Sequence, residues 1–233
     1  MEEKKTPAKV GPLRRWLDRK LGASSADRPA VPIKELHERD RRRVLRHFLE
    51  LENADRLLRF GSILSDERVA HYVAGLDFSR DMIYGVYNGV FRLVGVGHLA
   101  FAPKETSPVK EATTKDRVAE LGISVLRSTR GRGVGSQLFA RAAIHCRNND
   151  IDTLYMHCLS SNQTMMHIAK KAGMEIHRDY GEADAYLKLP PPNPRSVLQE
   201  AVQEQYAMLD YTFKANARAA VKWLDRLPRR KQK

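Results

Sequence analysis

Residues 120–136, "ELGISVLRSTRGRGVGS", join an apolar run to a glycine-alternating turn and then to a helical stripe. That junction constrains the fold more than any other stretch. A strand that ends in a glycine turn and feeds a helix leaves the helix's first backbone N–H groups without partners. Those donors and the helix dipole favour an anion such as phosphate. Gly131, Gly133 and Gly135 let successive N–H groups converge with no Cβ in the way, while Arg130 and Arg132 add charge at the rim. A tight turn that binds nothing has no need of three alternating glycines, which cost conformational entropy to order.

The familiar nucleotide motifs fit poorly. A P-loop needs Gly-Lys before Ser or Thr, and this stretch has Gly135-Ser136 without the lysine. In the dinucleotide fingerprint that starts at Gly131, the third glycine falls at Ser136. The preceding strand is also fourth in order, not the first of a βαβ unit.

Three regions are expected along the chain. Residues 1–30 form a basic tail or linker, with one short helix near "LRRWLDRKL". Residues 31–189 form the main domain. A strand, "VPIKEL", leads into a helical stretch, "ERDRRRVLRHFLEL", and a second helix follows Gly61-Ser62 with Ser65 as its N-cap. Asn88-Gly89 marks a hairpin between two β-rich runs. After a polar loop, Lys104 to Lys115, comes a strand near Val118 to Leu126. The glycine turn follows, then a helix with the stripe Val134, Leu138, Ala142 and Cys146. A strand "TLYMHCL", a helix closing at Gly173 and two more strands complete the domain. The order predicts an α/β (α+β) fold, a mixed central sheet flanked by helices, neither a βαβ repeat nor a barrel.

Residues 190–233 are a proline-rich break, an amphipathic helix and a basic end. Ser196 and Gln199 read as a capping box. Leu198, Val202, Tyr206, Leu209, Phe213, Ala217, Ala220 and Leu224 then step by three or four, one stripe on a single helix. That stripe has to bury itself by packing on the domain, by pairing two copies as a homodimer, or by lying on a membrane surface.

The net charge of +13 favours anionic partners, but much of the excess is terminal and reads equally as solvated tails. Zinc-finger, homeodomain and RNP patterns are absent, so the sequence does not point to nucleic acid as a partner. No apolar run approaches the ~20 residues of a membrane span. Cys146 and Cys158 show no framework spacing, as free thiols of a cytoplasmic protein would, and the scattered histidines suggest no metal site.

Arg130-Gly131-Arg132-Gly133-Val134-Gly135 fits [Q/R]-x-x-G-x-[G/A], and with this order of elements it resembles the GNAT superfamily of acetyl-CoA-dependent N-acetyltransferases. "DRLLRFGSILSDE" and "VAELGISVLRSTRGRGVG" are further similar to the acetyltransferase domain of bacterial protein-lysine acetyltransferases. The resemblance implies acetyl-CoA as co-substrate and an amine acceptor, a small molecule or a protein lysine. It implies that Arg130 to Ser136 hold the CoA pyrophosphate and that backbone amides of Ile123 and Val125 pair with pantetheine. It also implies that Asn162 contacts the pantetheine arm and that Glu120 is the general base. Glu120 reads equally as a strand-edge carboxylate paired with an arginine such as Arg92.

One departure concerns the general acid. Where many members have a tyrosine, this chain has Ala169, with His167 expected on a different helical face and Cys158 or Ser160 as weak substitutes. A non-catalytic acyl-CoA sensor with the same fold is the alternative. Tyr84, Tyr87 and Phe91 line an acceptor pocket or, as strand aromatics usually do, belong to the core.

Overall fold

The computed structural model describes residues 31–101 and 117–224. The readings of the N-terminal tail, of the loop from Lys104 to Lys115 and of the basic end lie outside the described residues.

The elements run β1 (Ile33–Leu36), α1 (Arg41–Leu49), α2 (Asn53–Phe60), α3 (Asp66–Ala74), β2 (Met82–Tyr87), β3 (Leu93–Phe101) and β4 (Val118–Val125). After the glycine turn come α4 (Val134–Asn148), β5 (Thr153–Leu159), α5 (Gln163–Ala172), β6 (Glu175–Asp179), β7 (Glu182–Lys188) and α6 (Pro194–Leu224). The seven strands form one sheet in the order β1-β2-β3-β4-β5-β7-β6. Every neighbouring pair is antiparallel except β4 and β5, which run parallel.

Helices cover both faces. Gly97 of β3 faces Leu138 of α4, whereas Gly122, partner of the next residue His98, faces Arg59 of α2. Since side chains alternate along a strand, α4 and α2 lie on opposite sides of the sheet. The stripe expected on α4 is core throughout: Val134, Leu138, Ala142 and Cys146 are all buried. On the other face His47 of α1 is buried between Leu93 O at 3.2 Å and Ser124 Oγ at 2.7 Å. Burial first, and then the charges of Arg59 and Arg92, hold its pKa down at about 4 against the hydrogen bond to Leu93.

Three sequence readings need correction. The segment between β1 and β2 holds three helices, because α2 stands between the two that were expected. Its N-cap, Glu52, makes no side-chain capping bond, so nothing local announces it. The hairpin at Asn88-Gly89 exists, but its loop runs to Arg92 and the left-handed residue is Phe91 at φ 58°. The Asn88 side chain builds that loop by accepting from Val90 N and Arg92 N. Finally, α6 starts three residues early: Asn193 Oδ1 accepts from Ser196 N, and Ser196 Oγ accepts from Asn193 N. The capping box joins Asn193 and Ser196 instead of the expected Ser196 and Gln199, so Asn193 is the N-cap and Pro194 takes the first helical position.

The most consequential difference concerns which face of α6 packs. Glu200 reaches Arg141 at 2.6 Å, His145 at 2.8 Å and Asn148 at 2.6 Å, all on α4. Burial opposes its ionisation, but these hydrogen bonds and the Arg141 charge hold its pKa at about 2. Farther along, Tyr211 packs on the rings of Tyr87 and Phe91, and Lys214 donates to Tyr87 O. The predicted stripe points the other way, with Leu198 66%, Leu209 71% and Phe213 76% exposed.

Candidate functional site

The sheet opens where the glycine loop begins. β4 and β5 pair only from Val118–Thr153 to Glu120–Tyr155, while β4 goes on pairing with β3 as far as Val125. The two parallel strands therefore part just after Glu120. Leu126 N donates to Val94 O at 2.9 Å, which fixes the alternation of amides along β4. Gly122 and Ser124 turn their N–H groups toward β3; Ile123 and Val125, beyond the last β5 pairing, turn theirs into the gap.

The loop beyond β4 takes its shape from Gly131 and Gly133, at φ 76° and 79°, in a region that side chains disfavour. Gly133 is the N-cap of α4, no side chain caps the helix, and its first turn contains no acid. The first intrahelical bond is donated by Gln137, so the amides of Val134, Gly135 and Ser136 remain as donors at the helix end. A 15-residue helix thus presents its positive end uncapped.

Gap and helix end share one cleft of about 520 Å³. Of the residues singled out in the sequence, Ile123, Val125, Arg130, Gly131, Gly133, Val134, Gly135, Ser136 and Asn162 line it. Arg132 is exposed outside the lining, and Glu120 stands at the mouth of the strand gap, also outside it. Arg130 is engaged within the chain: its Nη2 lies 2.6 Å from Asp55, and its Nε donates to Val125 O. Asn162 is buried and caps α5 by accepting from Met165 N.

Sequence reasoning missed the wall opposite the loop, which comes from Asp55, Leu58 and Arg59 of α2. It placed α5 correctly, closing at Gly173, but did not foresee which of its faces meets the cleft. His167 lines the cleft beside Thr164, Ile168 and Lys171, spaced three and four residues apart on one face of α5, whereas Ala169 is buried in the core. The steps of three and four from Thr164 through His167 and Ile168 to Lys171 mark that face. Cys158 turns inward against Met166, and burial pushes its thiol pKa up.

Glu120 shares a sheet face with its register partner Tyr155. Tyr155 Oη donates to Asp184 at 2.6 Å, and His157 Nδ1 stands 2.8 Å from the same oxygen. Burial raises the Asp184 pKa, but the bonds from Tyr155 and His157 outweigh it and leave the carboxyl low. Arg92, the expected partner of Glu120, instead holds Glu50 at 2.7 Å. Tyr84, Tyr87 and Phe91 are core residues. Among the described residues no His, Cys, Asp and Glu group could hold a metal ion, and no helix is long and apolar enough to cross a membrane.

The sequence pattern of the acetyltransferase (GNAT) family matches residues 45–174, more than half of the chain. Among solved structures, the GNAT domain of S. lividans PAT superposes with a TM-score of 0.55 at 20% identity, covering 67% of this chain and 89% of that one. Arabidopsis thaliana NAA60 in complex with a bisubstrate analogue gives 0.53 at 12% identity, over 70% of this chain and all of that one. An N-acetyltransferase from Staphylococcus aureus Mu50 gives 0.52 at 16% identity, with the same coverage. No curated protein sequence matches the chain at a significant level.

Proposed function

The chain belongs to the acetyltransferase (GNAT) family and is an acyltransferase of that type, and on that premise we propose that it transfers acetyl from acetyl-CoA to a primary amine of a small molecule or a protein lysine. The observation that carries the reading is the uncapped, acid-free start of α4 beside an open strand edge. The amides of residues 131–136 hold the pyrophosphate, and those of Ile123 and Val125 extend the sheet onto pantetheine. Asn162 flanks the arm from the start of α5.

An acceptor ammonium with pKa about 10 has to lose a proton before it can attack. Glu120, at the mouth of the gap, takes that proton directly or through water. Nitrogen bonds to the thioester carbon while the N–H of Val125 or its neighbour stabilises the oxyanion. The C–S bond then breaks, and the thiolate takes up a proton. His167 faces the cleft where Ala169 does not and is the side chain placed to return it. The reactants belong to the cytoplasm.

Two copies pair through α6, whose stripe faces outward. That stripe, with Leu198, Val202, Leu209 and Phe213 exposed, supplies the apolar surface of the pairing. Light scattering tests the pairing: wild type at twice the monomer mass, Leu209→Asp at the monomer mass.

Thermal melting with and without acetyl-CoA tests the cleft. At a hundredfold excess over Kd the ligand adds about 2.7 kcal/mol of stability. Gly133→Asp places a negative charge at the anion site and abolishes the shift. A shift that survives in the variant removes the loop from the binding site.

A further inference from the structure

Arg59 lines the cleft and has no task in the transfer chemistry above. Its guanidinium stands 5.1 Å from the ring centre of Phe60, 5.6 Å from Tyr72 and 5.8 Å from Phe48. Nη2 donates to Tyr72 Oη at 2.8 Å. A guanidinium only donates, so the tyrosine proton goes to His98 Nδ1 at 2.9 Å. His98 then carries its own proton on Nε2, which donates to Asp81 at 3.0 Å. Burial works against ionised Asp81, but the bonds from His98 and Arg80 prevail and keep it a carboxylate. Four elements thus hold one guanidinium in a fixed orientation.

Such anchoring ordinarily ends on a carboxylate, and here it does not. Nε is buried with no hydrogen-bond partner. The nearby acids are committed to other arginines: Asp55 to Arg130, Asp66 to Arg56 and Glu52 to Arg127. Among the described residues no carboxylate lies within ion-pair distance of Arg59. The backbone beneath has made room as well, since a Cβ on Gly122 would lie 2.5 Å from Nη2. Gly122 follows Glu120 by two residues and shares its face, about 7 Å along the strand. The charge therefore sits where β4 and β5 part, away from the phosphate-type donors of residues 131–136.

We propose that Arg59 is a recognition residue for a substrate carboxylate at the transfer centre. A planar fork held on aromatic faces suits two-point binding of a carboxylate, and its orientation is set before the ligand arrives. The carboxylate comes either from a dicarboxylic acyl group on CoA or from an amino-acid acceptor. The inference rests on the acyltransferase reading of the cleft.

Calorimetric titration of the full chain with acetyl-CoA and succinyl-CoA, in wild type and Arg59→Gln, tests the donor arm. Transfer from acetyl-CoA to glycine, β-alanine and glutamate, each against its amide, tests the acceptor arm. A carboxylate on the acyl group predicts that Arg59→Gln weakens succinyl-CoA about tenfold or more and leaves acetyl-CoA unchanged. A carboxylate on the acceptor predicts that the variant raises KM for the amino acids by a similar factor and not for the amides. Equal losses for ligands with and without a carboxylate, or no loss for any, overturn the proposal. If wild type binds no CoA thioester at all, the acyltransferase reading of the cleft falls first, and acetyl-CoA alone reveals that. Should Arg59→Gln melt without cooperativity, Tyr72→Phe releases the anchor but keeps the charge, and a selective loss for carboxylate ligands is again expected.

Discussion

Helices α4 and α6 read alike in the sequence and were built oppositely. Each carries an apolar stripe at helical spacing. On α4 the stripe of Val134, Leu138, Ala142 and Cys146 is the core. On α6 the stripe of Leu198, Val202, Leu209 and Phe213 is exposed, and the buried face is Ser196, Ala207 and the ion-paired Glu200. A stripe states that a face gains by being covered; it does not state what covers it. On α6 the choice of face went to polar groups, because Arg141 is itself buried and requires a carboxylate.

The sharpest way to break this contrast is to place one charge on each stripe and one cut on the polar face. Leu138→Asp buries a carboxylate in a fully closed core, and loss of the folded protein, or of about 4 kcal/mol or more in urea melting, is expected. Glu200→Gln comes next: it leaves the Arg141 charge buried without its partner, at a cost of about 3–5 kcal/mol by the same measurement.

Acid separates the two regions without mutation. His47 has its folded pKa below the free value, so the unfolded chain takes the proton first. Its contribution is therefore complete above about pH 6.5 and is lost as pH falls toward 4, by up to about 3 kcal/mol. Glu200 also has a depressed folded pKa, but its contribution persists down to about pH 4.3 and is lost only toward pH 2. Fluorescence of α6, followed through Trp223 in a Trp16→Phe variant, should thus change at lower pH than the stability of the sheet, and coincident transitions would contradict the assignment. The smallest effect belongs to Leu209→Asp, which should shift monomer stability by no more than about 0.5 kcal/mol. A large loss there would mean that the outward stripe is covered within one chain.

The glycine loop was the most legible part of the site, because left-handed backbone at Gly131 and Gly133 excludes most other residues and therefore marks itself. The facing of α5 was only partly legible: steps of three and four link Thr164, His167, Ile168 and Lys171 on one face and set Ala169 on another, but which face meets the cleft is decided by packing. Arg59 was not legible: α2 lacks a capping signal, and its residues meet β4 across more than sixty positions of chain.

By itself, then, the sequence determined the local events: where strands run, where the backbone must turn left-handed, where an uncapped helix offers its amides. Those follow from steric and hydrogen-bond rules acting over a few residues. Only the tertiary structure decided which strands part after Glu120, which face of α6 is buried and which arginine remains without an acid. Each of those outcomes depends on groups far apart in the chain competing for the same partner, and no local pattern records who wins.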